Sequence, residues 1–166
     1  MNILLTLSYL VHLVATVVWL GGMLIFSILV APLIEQVISD HAENQRLLLN
    51  LQKRFRPMAN LSLLLLLGTG MVQMGANPEY GGFFEFSNTW SLAMLLKHIA
   101  FGGMILVILW IQFSIVPELE RATLLATQKN ETSELQRILR QEKLSSRILL
   151  GLGGLVLIFT AVMTAV

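Results

Sequence analysis

The sequence predicts an all-α integral membrane protein that forms a four-transmembrane-helix bundle. Of its 166 residues, 55% are hydrophobic and 13% are charged. The hydrophobic residues are concentrated in four stretches, each long enough for a membrane-spanning helix, which takes about 20 residues. Every Lys and Arg except Lys97 lies outside these stretches, within the segments 35–57 and 118–147. A soluble domain of this length would not tolerate such long apolar runs.

The apolar stretches predict a single domain with helices at approximately residues 3–33, 58–76, 90–117 and 134–165, the last including a cytoplasmic extension. The first helix contains His12 but no Asp, Glu, Lys or Arg, and the third contains Lys97 and His98. Pro32 and Pro117 mark a stop or a bend at the inner ends of these two helices. We expect the basic segments to continue the helices rather than to form flexible linkers.

The distribution of basic residues predicts the orientation. Segments 35–57 and 118–147 are rich in Lys and Arg, whereas segment 77–89 has none and is rich in aromatic residues. The positive-inside rule places the basic segments in the cytoplasm, so both termini face outside and the aromatic segment lies at the outer interface. The N-terminus lacks a basic n-region and a cleavage site, so we expect the first segment to remain a helix. The expected location is the bacterial inner (plasma) membrane, with multiple spans.

Composition also excludes several classes of site. The chain has no cysteine, which excludes disulfides, thiolate metal sites and c-type haem attachment. The formal net charge is +1, so nothing indicates a nucleic-acid partner.

The first and third helices carry related motifs. A Phe-Ser-Ile triplet at 26–28 recurs at 113–115, and Pro32 recurs as Pro117. In both helices a histidine precedes the proline at nearly the same spacing, and a basic segment and an apolar helix follow. This pattern predicts two tandem helical hairpins in the same orientation, related by an axis along the membrane normal.

The two intramembrane histidines are the leading candidates for a functional site. His12 and His98 each lie roughly 12–14 Å below the outer start of their helix, at 1.5 Å per residue. Because the first and third helices of an up-down bundle are diagonal partners, the two imidazoles could ligate one metal from opposite sides. That arrangement suits a b-type haem with bis-histidine ligation. An intramembrane histidine can also serve only as a hydrogen-bonding link between helices.

Residues near the histidines leave room for a flat ring. One turn after the third-helix histidine, Gly102 lies on the same face. Two turns after the first-helix histidine, Trp19 could pack against a macrocycle edge, and Thr16 could hold the second nitrogen of that imidazole. Lys97 could meet a haem propionate or snorkel to the headgroups. Helix packing alone also explains the tryptophan and the glycine.

Copper is the alternative metal. Met71 and Met94 are predicted near the level of His12 and His98, and thioether and imidazole ligands both suit copper. Methionine is also a common gap-filler in apolar cores, so the pattern leaves haem and copper open.

The sequence resembles two related families. His12, Trp19 and the glycine pair at 21–22 resemble the first helix of the CopD-like membrane proteins and of the HemJ-type protoporphyrinogen oxidases, which share a four-helix architecture. The resemblance continues through RFRPMANLSLLLLLGTG at 54–70 and LLKHIAFGG at 95–103.

The two branches imply different functions. Resemblance to the HemJ-type branch implies haem b binding and oxidation of protoporphyrinogen, with His12, Lys97 and either Arg54 or Arg56 as functional positions. After Gly22, however, the chain lacks the arginine and histidine expected at the end of that helix. It matches the looser pattern of the CopD-like branch better, and that branch is named for copper resistance.

The leading prediction is therefore a b-type haem-binding membrane protein, ligated by His12 and His98, that acts in electron transfer near the outer face. Three alternatives remain open: a HemJ-type oxidase, copper binding or transport, and an accessory subunit of a larger membrane complex. The sequence does not decide whether the protein is an oxidoreductase enzyme. Expected partners are membrane lipid, a quinol or redox protein, and further copies of the chain or other subunits.

Overall fold

Helices account for nearly all of the described chain. The computed structural model describes residues 2–38, 41–82, 88–129 and 133–165, and within these residues it contains no strand. In the described part of the chain, four helices are long and apolar enough to cross a membrane. The predicted all-α, four-helix fold is confirmed. Most of the aromatic residues predicted for the outer interface fall at 83–87, outside the described residues.

The helices extend beyond their predicted ends. The first runs over Ile3–Val37, and the second over His41–Gly75. The third comprises Thr89–Trp110, a π-helical turn at Ile111–Ile115, and Val116–Lys129. The fourth is Ser133–Ala165. We call the end with the chain termini the terminal end, and the end with the two connections near residues 40 and 131 the basic end.

The basic segments are helical because they bury an apolar face of their own. The second helix starts 17 residues earlier than the apolar stretch alone indicates, at residue 41 instead of 58. A core cluster at the basic end joins the extensions of the second, third and fourth helices. Its buried members are Leu49, Ile115, Leu119, Ala122, Leu135 and Ile138. Burial of this cluster stabilises the extensions, as expected for amphipathic helices.

Both helices continue through their prolines. The first and third helices continue past Pro32 and Pro117, so the alternative of a stop is wrong. Each proline follows a π-helical turn, at Phe26–Val30 and at Ile111–Ile115. Proline lacks an N–H and its ring clashes with the carbonyl four residues earlier. In both helices that carbonyl lies within the π turn, which contains the repeated Phe-Ser-Ile motif.

The four helices pair as two hairpins. The close backbone contacts join the first helix to the second and the third helix to the fourth, and the second and third helices meet at the basic end. Large apolar side chains cover the outside, including Leu4, Leu64 and Leu106, which are 70%, 68% and 70% exposed. A hydrocarbon environment accounts for such an outer surface, which would be costly in water.

The third helix begins with a capping box. The Asn88 side chain accepts a hydrogen bond from the Ser91 backbone N–H at 2.7 Å, and the Asn88 N–H donates to the Ser91 hydroxyl at 3.4 Å. Asn88 also donates to Glu79 at 3.0 Å, which ties the cap to the preceding segment.

Replacing the cap should destabilise the third helix. We expect Asn88→Ala to lower the free energy of unfolding by about 1 kcal/mol, because the first turn loses a hydrogen-bond acceptor. The neighbouring exposed Thr89→Ala should change it by less than about 0.5 kcal/mol. Unfolding in detergent, followed by circular dichroism, measures both. Equal losses in the two variants would contradict the capping role.

Candidate functional site

A cavity of about 400 Å³ lies at the terminal end of the bundle, and residues of all four helices line it. We call it the terminal cavity. The first helix contributes His12 and Trp19, and the third contributes Lys97 and His98. The histidines that the sequence predicts to act together therefore share one cavity. Most of the remaining lining is apolar, with methionine, leucine, valine and aromatic side chains.

A hydrogen bond to the second helix determines the tautomer of His12. Its Nδ1 lies 2.7 Å from Oγ1 of Thr69, and that hydroxyl donates its own proton to the Leu65 carbonyl at 2.5 Å. Because the hydroxyl proton is already committed, Oγ1 accepts from the imidazole, so Nδ1 carries a hydrogen. The lone pair of neutral His12 is then on Nε2.

The same tautomer follows for His98 from a different partner. Its Nδ1 lies 2.7 Å from the backbone carbonyl oxygen of Met94, one turn earlier in the third helix. A carbonyl oxygen can only accept, so Nδ1 of His98 donates and Nε2 holds the lone pair. Both imidazoles thus have the arrangement typical of metal-ligating histidines, in which the second nitrogen donates to a protein oxygen.

Further polar contacts tie the first two helices together around His12. The Ser8 hydroxyl donates to the Thr69 carbonyl at 3.2 Å, and the Gln73 amide donates to the Ser8 carbonyl at 3.2 Å. These bonds lie within one turn of the His12–Thr69 contact. They hold the second helix in register with the first, and so position the hydroxyl that orients the imidazole.

Lys97 is the only Lys or Arg that lines the terminal cavity, among the residues described. It is half-buried, and no described Asp or Glu lines the same cavity. Within the described ranges its ammonium makes neither an ion pair nor a hydrogen bond. A buried charge is costly unless it is paired, so an anionic group on a ligand would relieve that cost.

The other candidate residues fall in different places. Trp19 is 3% exposed and lines the cavity, and Met94 is fully buried and lines it too. Gly102 does not lie in the wall, and Met71 is 55% exposed outside it. Arg54 is exposed and lines neither this cavity nor a second one at the basic end.

The expectation for Thr16 is wrong. Its hydroxyl donates to the backbone carbonyl of His12 at 2.8 Å, as hydroxyls four residues along a helix commonly do, and does not reach the ring. Thr69 holds the imidazole instead. The sequence contained a signal for it, because Thr69 is the lone hydroxyl residue in the apolar run LLLLLGTGMV. Only the packing of the first hairpin identifies its partner.

The tautomer of His12 should depend on Thr69. We expect Thr69→Val to remove the acceptor for Nδ1–H and to give a mixture of tautomers at His12, while His98 keeps its Nδ1–H form. Nitrogen chemical shifts of labelled imidazoles measure this directly. Thr16→Val is the matched control and should leave both rings unchanged. A single unaltered tautomer at His12 in Thr69→Val would contradict the assignment.

Within the described residues, no group of three or more His, Cys, Asp or Glu side chains could hold a metal ion.

Known families and proteins provide an independent comparison. No curated protein and no solved structure matches the chain. The resemblance to the HemJ-type oxidases is not confirmed. The family model described as copper resistance protein D, CopD, matches residues 49–163, which include Lys97 and His98 and cover more than half of the chain. The chain therefore belongs to the CopD family, as a multi-pass membrane protein.

Proposed function

We propose that this protein binds one b-type haem in the terminal cavity, with His12 and His98 as axial ligands, and acts in membrane electron transfer. The observation that supports the proposal is that two imidazoles line one cavity and each donates Nδ1–H to a protein oxygen. Each therefore has its lone pair on Nε2, as metal ligation requires. A haem with both axial positions filled supplies one-electron transfer in preference to oxygen binding.

The cavity suits a large cofactor better than a bare ion. Its volume of about 400 Å³ is in the range of protein sites for small molecules and cofactors. The apolar walls match a macrocycle. Lys97 has no carboxylate partner among the described residues that line the cavity, and a haem propionate would provide one. A bound cation would instead add to the positive charge of Lys97.

The residues around the histidines would support the ligands. Thr69 Oγ1 and the Met94 carbonyl accept the Nδ1 protons, which would orient both rings toward a bound metal. Trp19, buried to 3% exposure, forms part of the wall toward the basic end. Because the site lies in one half of the membrane, electron transfer across the whole membrane would also need a quinol or a redox protein.

Haem binding should depend on both histidines. After expression with ample haem, the detergent-purified protein should give sharp b-type bands in a reduced-minus-oxidised absorption spectrum. His12→Ala and His98→Ala should each lose them, because each removes one axial ligand. Thr69→Val should weaken haem affinity about 10- to 100-fold, as expected when the partner of a ligating imidazole is removed. Met71→Leu, outside the cavity, is the control. A colourless wild-type protein would contradict the proposal.

Copper is the second candidate, and four methionines favour it. Met74, Met94, Met104 and Met163 line the same cavity as the two histidines. Thioether and imidazole groups both suit copper, and the name of the family refers to copper resistance. Elemental analysis of the purified protein distinguishes the two metals.

Copper binding should be sensitive to methionine. If copper is the cargo, Met94→Leu should reduce the copper content, whereas haem ligated by two imidazoles should withstand this substitution. Met71→Leu is again the matched control, because Met71 is exposed outside the cavity. Copper retained in Met94→Leu and lost in Met71→Leu would exclude the proposed site.

A HemJ-type oxidase activity has less support from the geometry. Arg56 lines the cavity at the basic end rather than the terminal cavity, and Arg54 lines neither. An oxidase that used these arginines beside the haem would need them near Lys97. An accessory role in a larger complex is also a proposal, and it predicts that both histidine-to-alanine variants keep their function.

A further inference from the structure

A second cavity of about 410 Å³ lies at the basic end, and we call it the basic-end cavity. Trp19 lines both cavities, so this buried side chain forms part of the partition between them. The inner walls are apolar and include Met23, Phe26, Leu63 and Ile111. The basic-end cavity is therefore distinct from the terminal cavity and shares one wall residue with it.

The inner polar groups of this cavity satisfy one another. The Gln112 amide donates to Asn60 at 2.8 Å, and the Asn60 amide donates back to Gln112 at 3.4 Å. Since each amide has a donor and an acceptor in the other, neither requires a polar ligand group. The inner part of the cavity therefore suits an apolar chain.

The charged residues of the basic-end cavity do not all pair with one another, and two of the basic ones have no acidic partner among the described residues. Lys143 pairs with Glu35 at 2.9 Å, and Glu142 accepts a hydrogen bond from the Gln52 amide at 2.7 Å. The remaining charged residues are Arg56 and Arg147. In the described parts of the chain, neither guanidinium has an ion pair or a hydrogen bond.

The apolar wall and the two arginines together fit an amphiphile with an anionic headgroup. Arg56 is in the second helix and Arg147 in the fourth, so the two donors approach the cavity from different helices. Guanidinium groups present donors that match phosphate oxygens in pairs. The positive-inside rule predicts that the basic end lies in the cytoplasmic leaflet. Anionic lipids are found in that leaflet, and basic pockets between helices bind their headgroups.

We propose that the basic-end cavity binds an anionic phospholipid, with its phosphate held by Arg56 and Arg147 and one acyl chain against the apolar wall that ends at Trp19. The lipid would lie among the four helices that line this cavity, where the Lys143–Glu35 ion pair links the fourth helix to the first. The two arginines provide the selectivity for charge, and the apolar wall provides the preference for a lipid over a free anion.

The test is native mass spectrometry of the purified full-length protein with phosphatidylglycerol or phosphatidylcholine of the same acyl chains. We expect the wild-type protein to retain phosphatidylglycerol in preference. The double variant Arg56→Gln/Arg147→Gln should lose that preference by about tenfold or more, since each basic residue near anionic lipid contributes about 1 kcal/mol, a factor of about 5. The matched control is Arg54→Gln/Arg140→Gln, which removes two exposed arginines outside the cavity and should keep the preference.

Three results would overturn the proposal. The first is a wild-type protein that retains both lipids equally, and the second is a control variant that loses as much preference as the cavity variant. The third is that glycerol phosphate, a headgroup without acyl chains, displaces phosphatidylglycerol as well as the same lipid does. That result would indicate a free-anion site. Circular dichroism and gel filtration check the fold of each variant. The competition between lipid and glycerol phosphate uses the wild-type protein, so it distinguishes a lipid site from a free-anion site without any substitution.

Discussion

The hydrogen bond between His12 and Thr69 is the interaction on which the terminal half of the molecule depends. In a hydrocarbon environment no water is available, so an imidazole in the first helix needs a protein partner. The Thr69 hydroxyl accepts from Nδ1 at 2.7 Å and donates onward to Leu65. Thr69 therefore determines the tautomer of the ring, and with Ser8 and Gln73 it holds the register of the first hairpin. A slip of either helix would break this bond together with the two bonds of Ser8.

Trp19 lies between the two cavities and lines both of them. It lies in the π turn Val17–Gly21, and π turns inserted in α-helices are frequent at functional sites. The fourth helix approaches this turn closely, since a Cβ added at Gly153 would lie 2.9 Å from Leu20. On one side of the tryptophan is Lys97, and on the other are the arginines. Each cavity therefore places basic side chains without a described acidic partner beside an apolar wall, at opposite ends of the bundle.

The two hairpins share a π turn followed by a proline, but they differ in the group that accepts the Nδ1 proton of their histidine. In both, a Phe-Ser-Ile motif lies in a π turn that precedes a proline, and the helix continues past the proline. The first hairpin orients its imidazole with a side chain from the neighbouring helix. The second uses the carbonyl of Met94, one turn away in the same helix. The same tautomer is reached by a tertiary contact in one case and by a local contact in the other.

The sequence by itself determined the helical membrane fold, because apolar runs of this length have few other stable arrangements. It also predicted that His12 and His98 lie at similar depth on helices expected to be diagonal, and both line the terminal cavity. Only the tertiary structure decided which side chains surround them. Thr69 replaces Thr16 as the partner of His12, Met71 and Gly102 lie outside the cavity, and Arg56 belongs to the opposite end. These outcomes depend on the rotation of each helix about its axis, and interlocking side chains determine that rotation rather than hydropathy or spacing.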